Sequence, residues 1–253
     1  MVSEPAASPA RWIDVAPERF PGWIASFGDR HGVVTVRPGT DGPRPGSADA
    51  GPGPGQAGAA AAEPGAAAVF AAADGAVARC HAPFPPTPGL GAAPDADEAA
   101  RVIAAHAAAD RTVGVLLVRL GGYAAGVFAG APPRLAASKV GSRLVHGRSA
   151  AGGQSQQRFA RRREKQAAEA LAAAADTAAA VFGRYGRPLD ALVLGGDRRA
   201  VAGLRDDPRL RGYFAIAVDR FLTTPDPRLA VLRETPRMFR AIRVQLTEPA
   251  VRD

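Results

Sequence analysis

The sequence predicts an α/β protein, with α+β as its nearest alternative, built on a mixed β-sheet with flanking helices. Two observations carry this. Short runs rich in Val, Leu and Ile alternate with helical patterns through the second half, and a long helix pattern of Ala, Arg, Glu and Gln, free of Gly and Pro until Gly183, spans 155–184.

Taken in order, 11–15 reads as a short strand, and Pro17 stands where a helix start tolerates a missing N–H. Phe20, Trp23, Ile24 and Phe27 recur at helical spacing and give one apolar face for a core, until Gly32 stops the helix and 33–36 reads as a strand. Residues 38–65 are mostly Pro, Gly, Ala and Ser with little to bury, and are expected to be a disordered insert. The runs 67–72 and 76–81 flank Asp74-Gly75, a two-residue hairpin signal. A Pro-rich stretch, 83–94, closes this part. Asp95 then caps a helix to about 108, with Glu98 at the capping-box position.

The remainder is denser. Strands are expected at 112–120 and 123–128 around a Gly121-Gly122 turn, then at 135–140 and 143–146. After the long helix come a buried strand at 189–194, a helix opened by Asp197, a strand at 214–218, a short helix at 227–233 and a closing strand at 239–246. The domain division this suggests is an N-terminal region 1–94, a second domain 95–248 and a tail 249–253.

At 253 residues the chain can bury a full core without staples, and Cys80, its one cysteine, has no internal partner for a disulfide. No Cys/His cluster has zinc spacing, and neither a phosphate loop nor a dinucleotide fingerprint is present, so no metal and no cofactor are expected. The absence of a signal-like start and of a long apolar run predicts a cytoplasmic protein with no membrane partner. Net charge is +8, and the arginines are concentrated, which favours RNA or DNA as a partner.

The concentration lies in 147–165. Its first half, through Gly152, Gly153 and Gln154, is small and flexible; its second half is a basic helix beginning near Ser155. The two glycines let the main chain approach a ligand closely, and the helix start offers unpaired N–H groups. Arg158, Arg161, Arg162 and Lys165 recur at three- and four-residue intervals, placing a cationic surface behind the tip that suits backbone phosphates. Phe159 is expected to turn inward.

Gly152-Gly153-Gln154-Ser155, followed by Arg158-Phe159-Ala160-Arg161 and by Arg163, Glu164 and Lys165, closely resembles the catalytic loop and helix of eukaryotic and archaeal class-1 peptide release factors. The wider layout resembles the bacterial members of the Vms-like release-factor family. Residues 114–119, Gly121-Gly122-Tyr123, His146-Gly147-Arg148 and Gly195-Gly196-Asp197-Arg198-Arg199 support this. In that family the motif loosens to Gly-x-x-Gln, which Gly153 and Gln156 also satisfy. Gln154 is favoured because its frame stays in step with the helix; Gln156 remains the alternative.

The resemblance implies a release-factor-like catalytic domain and a peptidyl-tRNA hydrolase acting on stalled ribosomes or large subunits. It implies peptidyl-tRNA and large-subunit RNA as partners and a monomer as the acting form. It assigns RNA contact to Arg148, Arg158, Arg161, Arg162, Arg163 and Lys165. Glutamine cannot serve as a base at neutral pH, but it orients water, and its N–H can face developing negative charge. The competing expectation is a non-catalytic RNA-binding factor that uses the arginine helix alone.

Other groups weigh less. Gly195-Gly196-Asp197 suits either a phosphate at a helix start or a tight turn with Asp197 as cap. His146 is the histidine nearest the loop, with a packing or RNA-contact role favoured over acid–base work. Asp190, Asp197 and Asp219 could assemble a nuclease-like carboxylate set only if the fold gathers them, and solvated or capping roles are the ordinary expectation.

Overall fold

The computed structural model describes residues 9–39, 65–119, 121–142 and 155–249, with the main chain alone over 155–163. In chain order its elements are β1 (Arg11–Val15), α1 (Phe20–His31), β2 (Val34–Pro38), β3 (Ala68–Ala72), β4 (Val77–His81), α2 (Ala96–Ala108), β5 (Val113–Arg119), β6 (Gly122–Ala129), β7 (Arg134–Ser142), α3 (Ser155–Arg184), β8 (Ala191–Gly196), α4 (Arg198–Ala202), α5 (Arg211–Phe214), β9 (Ala217–Leu222), α6 (Leu229–Phe239) and β10 (Ile242–Thr247). The chain divides into two compact units, Met1–Ala109 with Arg240–Asp253, and Asp110–Phe239.

The first unit is an antiparallel sheet in the order β1-β10-β4-β3-β2, with α1 and α2 supplying helical faces to its core. Phe20, Ile24 and Phe27 are buried as their spacing predicts, while Trp23 packs partly buried beside them. Gly32 ends α1 at φ 86, its N–H donating to the Gly28 carbonyl at 2.8 Å. Asp95 caps α2 by accepting from the Glu98 N–H at 2.8 Å, and the Glu98 carboxylate pairs with Arg101 at 3.1 Å. The hairpin joining β3 and β4 has a three-residue loop rather than two. The Gly75 N–H donates to the Ala72 carbonyl (3.1 Å), the Ala72 N–H donates to the Ala76 carbonyl (2.9 Å), and Gly75 takes φ 95, a conformation that glycine adopts without a Cβ penalty. The expected insert falls, between its end residues Pro38 and Gly65, almost entirely outside the described residues.

The domain boundary differs from the expected 94/95 division. α2 belongs with the first unit, because Ala99, Ala100, Ile103 and Ala107 fill that core. β10, expected to close the catalytic domain, lies between β1 and β4 and is antiparallel to both. Its alternation sends Ile242, Val244 and Leu246 into the first core.

The second unit holds the mixed sheet, in the order β7-β6-β5-β8-β9. β7, β6 and β5 are antiparallel neighbours, and β8 and β9 continue in parallel with β5. β5 sits at the centre and is buried from Val113 to Val118, the continuous apolar run expected of a strand covered on both faces. One face carries Leu116, Val118, Ala125 and Val127 against α3 and the α4–α5 region. On the other, Leu232 of α6 comes close to Gly126, and Phe239 meets Phe128 edge-on at 5.8 Å between ring centroids.

Two expectations shift here. The strand at 214–218 is instead the end of α5 followed by β9, since Phe214 is buried as a helical residue together with Leu210. The short helix at 227–233 runs on through Pro236 to Phe239. Proline cannot supply the N–H that the Leu232 carbonyl would accept, and the buried Thr235 hydroxyl donates to that carbonyl at 2.7 Å. The strand expected at 143–146 lies outside the described residues.

Candidate catalytic loop and RNA-facing helix

Two elements bracket the Gly-Gly-Gln segment: β7, whose last residue is Ser142, and α3, which begins at Ser155. Arg148, Gly152, Gly153 and Gln154 lie between them, outside the described residues, as does His146. The β7 end is fixed by pairing of Ser142 with Gly122 and of Gly141 with Tyr123. The Tyr123 ring packs over Gly141 and joins the second core.

α3 has 30 residues, and its composition explains both its length and its docking. Ala170, Ala174, Ala175, Thr177 and Ala178 are buried, followed by Val181 and Phe182; small side chains at these positions allow a helix to ride close to a sheet. Ala170 is the first buried side chain described in α3, and Glu164, Lys165, Ala168 and Glu169 before it are exposed. At about 1.5 Å per residue, the helix start lies ~22 Å along the axis ahead of Ala170.

Of the predicted RNA contacts, Arg158, Arg161, Arg162, Arg163 and Lys165 all stand on the first turns of α3, where the main chain alone is described through 163, and Lys165 is exposed. By helical register, positions 158, 161, 162 and 165 share one stripe, nearly half a turn from the stripe of Ala170, Ala174, Ala178 and Val181. Position 163 instead falls on the docking stripe, as does Gln156.

At the C-terminal end of β5, in register with Gly122 and Ser142, the strand ends are tied together by side chains. Arg119 donates to the Thr224 carbonyl at 2.8 Å, and the Arg198 guanidinium lies 4.4 Å from the centre of the Phe221 ring. Arg209 binds Asp176 and Asp207, both at 2.7 Å, and its hydrogen bonds hold the Asp207 carboxyl below the usual carboxylate range. These tertiary roles of arginine carry no local sequence signature.

The alternatives resolve simply. Asp197 caps α4, its Oδ1 accepting from the Arg199 and Ala200 N–H groups at 2.8 and 3.0 Å, which occupies the donors a phosphate would need. Gly196 takes φ 99, and a Cβ there would run into the Val118 carbonyl, so the Gly-Gly pair serves a tight turn. Asp190 accepts from the Thr112 N–H at 2.7 Å just before β8, whereas Asp197 follows the far end of that strand. Among the described residues no group of three His, Cys, Asp or Glu side chains could hold a metal ion. Burial pushes the Asp219 carboxyl up, and it pushes the Cys80 thiol up as well. Among the described residues no helix is long and apolar enough to cross a membrane.

No curated protein matches the chain. A family model, the Actinobacteria/chloroflexi VLRF1 release factor, matches residues 111–245, more than half of the sequence, from just before β5 into β10.

Proposed function

The chain belongs to the Actinobacteria/chloroflexi VLRF1 release-factor family, and from that membership we propose that it is a peptidyl-tRNA hydrolase that frees nascent peptides on stalled ribosomes or large ribosomal subunits. Gly152 and Gly153 give the tip the slimness to enter a crowded centre, and Gln154 orients a water against the ester carbonyl. Water adds to that carbon, the bond to the ribose oxygen breaks, and the products are a peptide carboxylate and a tRNA with a free hydroxyl. The Gln154 N–H faces the oxyanion as it forms, and ribosomal RNA completes the site.

The observation that carries this reading is that α3 begins directly after Gln154, about 22 Å along its axis ahead of Ala170, with positions 158, 161, 162 and 165 on one stripe by helical register. A helix of that form carries a loop ahead of the fold and offers cations to phosphates behind it. Arg148 and Arg163 are assigned to the same RNA contact. The reading makes the protein a cytoplasmic monomer whose partners are peptidyl-tRNA and large-subunit RNA.

The test is release of peptide from purified peptidyl-tRNA bound to large subunits. Gln154→Ala is expected to slow release by at least about a hundredfold while leaving subunit binding intact. Loss in Gln156→Ala with Gln154→Ala active transfers the role to Gln156. Full activity in both variants removes the role from both glutamines, and no release by the wild type above the protein-free rate, with subunit binding retained, leaves a non-catalytic RNA-binding factor as the correct description.

A further inference from the structure

The sheet of the first unit has a second face, formed by the side chains that alternate away from its core. Cross-strand register lines up Arg37, Val69, Arg79, Gln245 and Trp12 in one row spanning all five strands. The adjoining row places His81 and Arg243 beside Asp14. At about 4.8 Å between strands the first row is ~19 Å long.

Trp12 distinguishes this face. It is 50% exposed, although the rest of β1 offers Ile13 and Val15 to the core. Its ring is held in place: the Arg243 guanidinium lies 4.5 Å from the ring centre, and the His81 ring lies 5.1 Å away at 47°. Arg243 is itself steadied by Asp14, 3.6 Å from its Nε. Asp14 is the one carboxylate among the outward positions of the described strands, against Arg37, Arg79 and Arg243. The face thus combines a fixed, half-open indole with net positive charge.

We propose that this sheet face binds unpaired RNA, with a base stacked on Trp12 and the backbone drawn to Arg37, Arg79 and Arg243. An exposed indole on a flat sheet suits a splayed base, and the surrounding arginines suit the phosphates on either side of it. Gln245, opposite Trp12, adds both a donor and an acceptor for a base edge. A duplex hides its base faces and leaves the indole unused; an acidic peptide meets the arginines but not the ring. The inference is independent of peptidyl-tRNA hydrolysis.

Titration of the full chain with a short oligouridylate, followed by tryptophan emission and by anisotropy of labelled RNA, tests it. The wild-type protein is expected to show quenching, Trp12→Phe to bind with little loss of affinity but without the quench, and Trp12→Ala to bind roughly tenfold more weakly. Arg243→Gln is expected to weaken binding and lower its salt slope by about one. Binding to a duplex of equal length is expected to be indifferent to Trp12→Ala. Absence of quenching in the wild type, unchanged oligouridylate affinity in Trp12→Ala, or an equal loss on duplex RNA each overturns the proposal. Trp12→Phe retains an aromatic ring at the site and guards against misreading a folding defect.

Discussion

Tyr123 and Gly141 face each other across β6 and β7, and the tyrosine lies so close that a Cβ on the glycine would stand 2.5 Å from the hydroxyl oxygen and 2.6 Å from the ring. This close approach sits one residue before Ser142, where β7 ends. Any side chain at 141 must displace the ring from the second core.

Gly141→Ala is therefore expected to cost about 1–3 kcal/mol, measured by urea unfolding. Tyr123→Ala removes the obstacle, so the double variant should be more stable than the sum of the single effects indicates. Strict additivity would show that ring and glycine do not share one space.

The Thr235 hydroxyl on the Leu232 carbonyl makes a second prediction. Thr235→Val keeps the shape and removes the donor, leaving a buried carbonyl unpaired at a cost of about 1–3 kcal/mol. Adding Pro236→Ala restores an N–H at the position that would pair with Leu232, and should recover part of the loss in thermal unfolding. No recovery would place the cost elsewhere than at that carbonyl.

Arg161→Glu with Arg162→Glu is expected to weaken binding to large subunits. The dependence of that binding on salt should fall by about one unit of slope for each phosphate that is no longer neutralised. Helix content by circular dichroism should not change, because both positions lie away from the docking stripe of α3. An unchanged salt slope would remove these two arginines from the RNA interface.

The Asp74 carboxyl is held below the usual carboxylate range, first by the Ala76 N–H and then by its hydrogen bond with His31. A lowered acid stabilises the folded form above its unfolded value and loses that contribution as pH falls through the folded one. Amide exchange at the β3–β4 loop, corrected for the intrinsic pH dependence, should accordingly show less protection only below the ordinary aspartate range. Asp74→Asn should flatten that profile; an identical profile in the variant would refute the assignment.

Local chemistry was legible in the sequence wherever it was decided locally. The span of α3 follows from a run without Gly or Pro until Gly183, and Asp95 and Asp197 cap the helices that their positions predicted. Long-range pairing was not legible. Nothing within Ile242–Thr247 says that it pairs with β1 and β4, because alternation specifies a buried face and not a partner. The continuation of α6 through Pro236 was not legible for a related reason: the Thr235 hydroxyl that takes the Leu232 carbonyl matters only once the helix exists. At the candidate site, the spacing of Arg158, Arg161, Arg162 and Lys165 predicts one stripe, and the helix that carries them is present as main chain. The approach of Tyr123 to Gly141 needed the strand register.

The placement of β10 also has a bearing on how the molecule is made. Translation yields residues 110–239 before the strand that joins β1 to β4, so the later-encoded unit has its whole complement of elements while the earlier-encoded sheet still lacks the strand next to its β1 edge. Until 242–247 emerge, β1 has no partner strand and β4 presents an unsatisfied edge, and this single strand zips the two together.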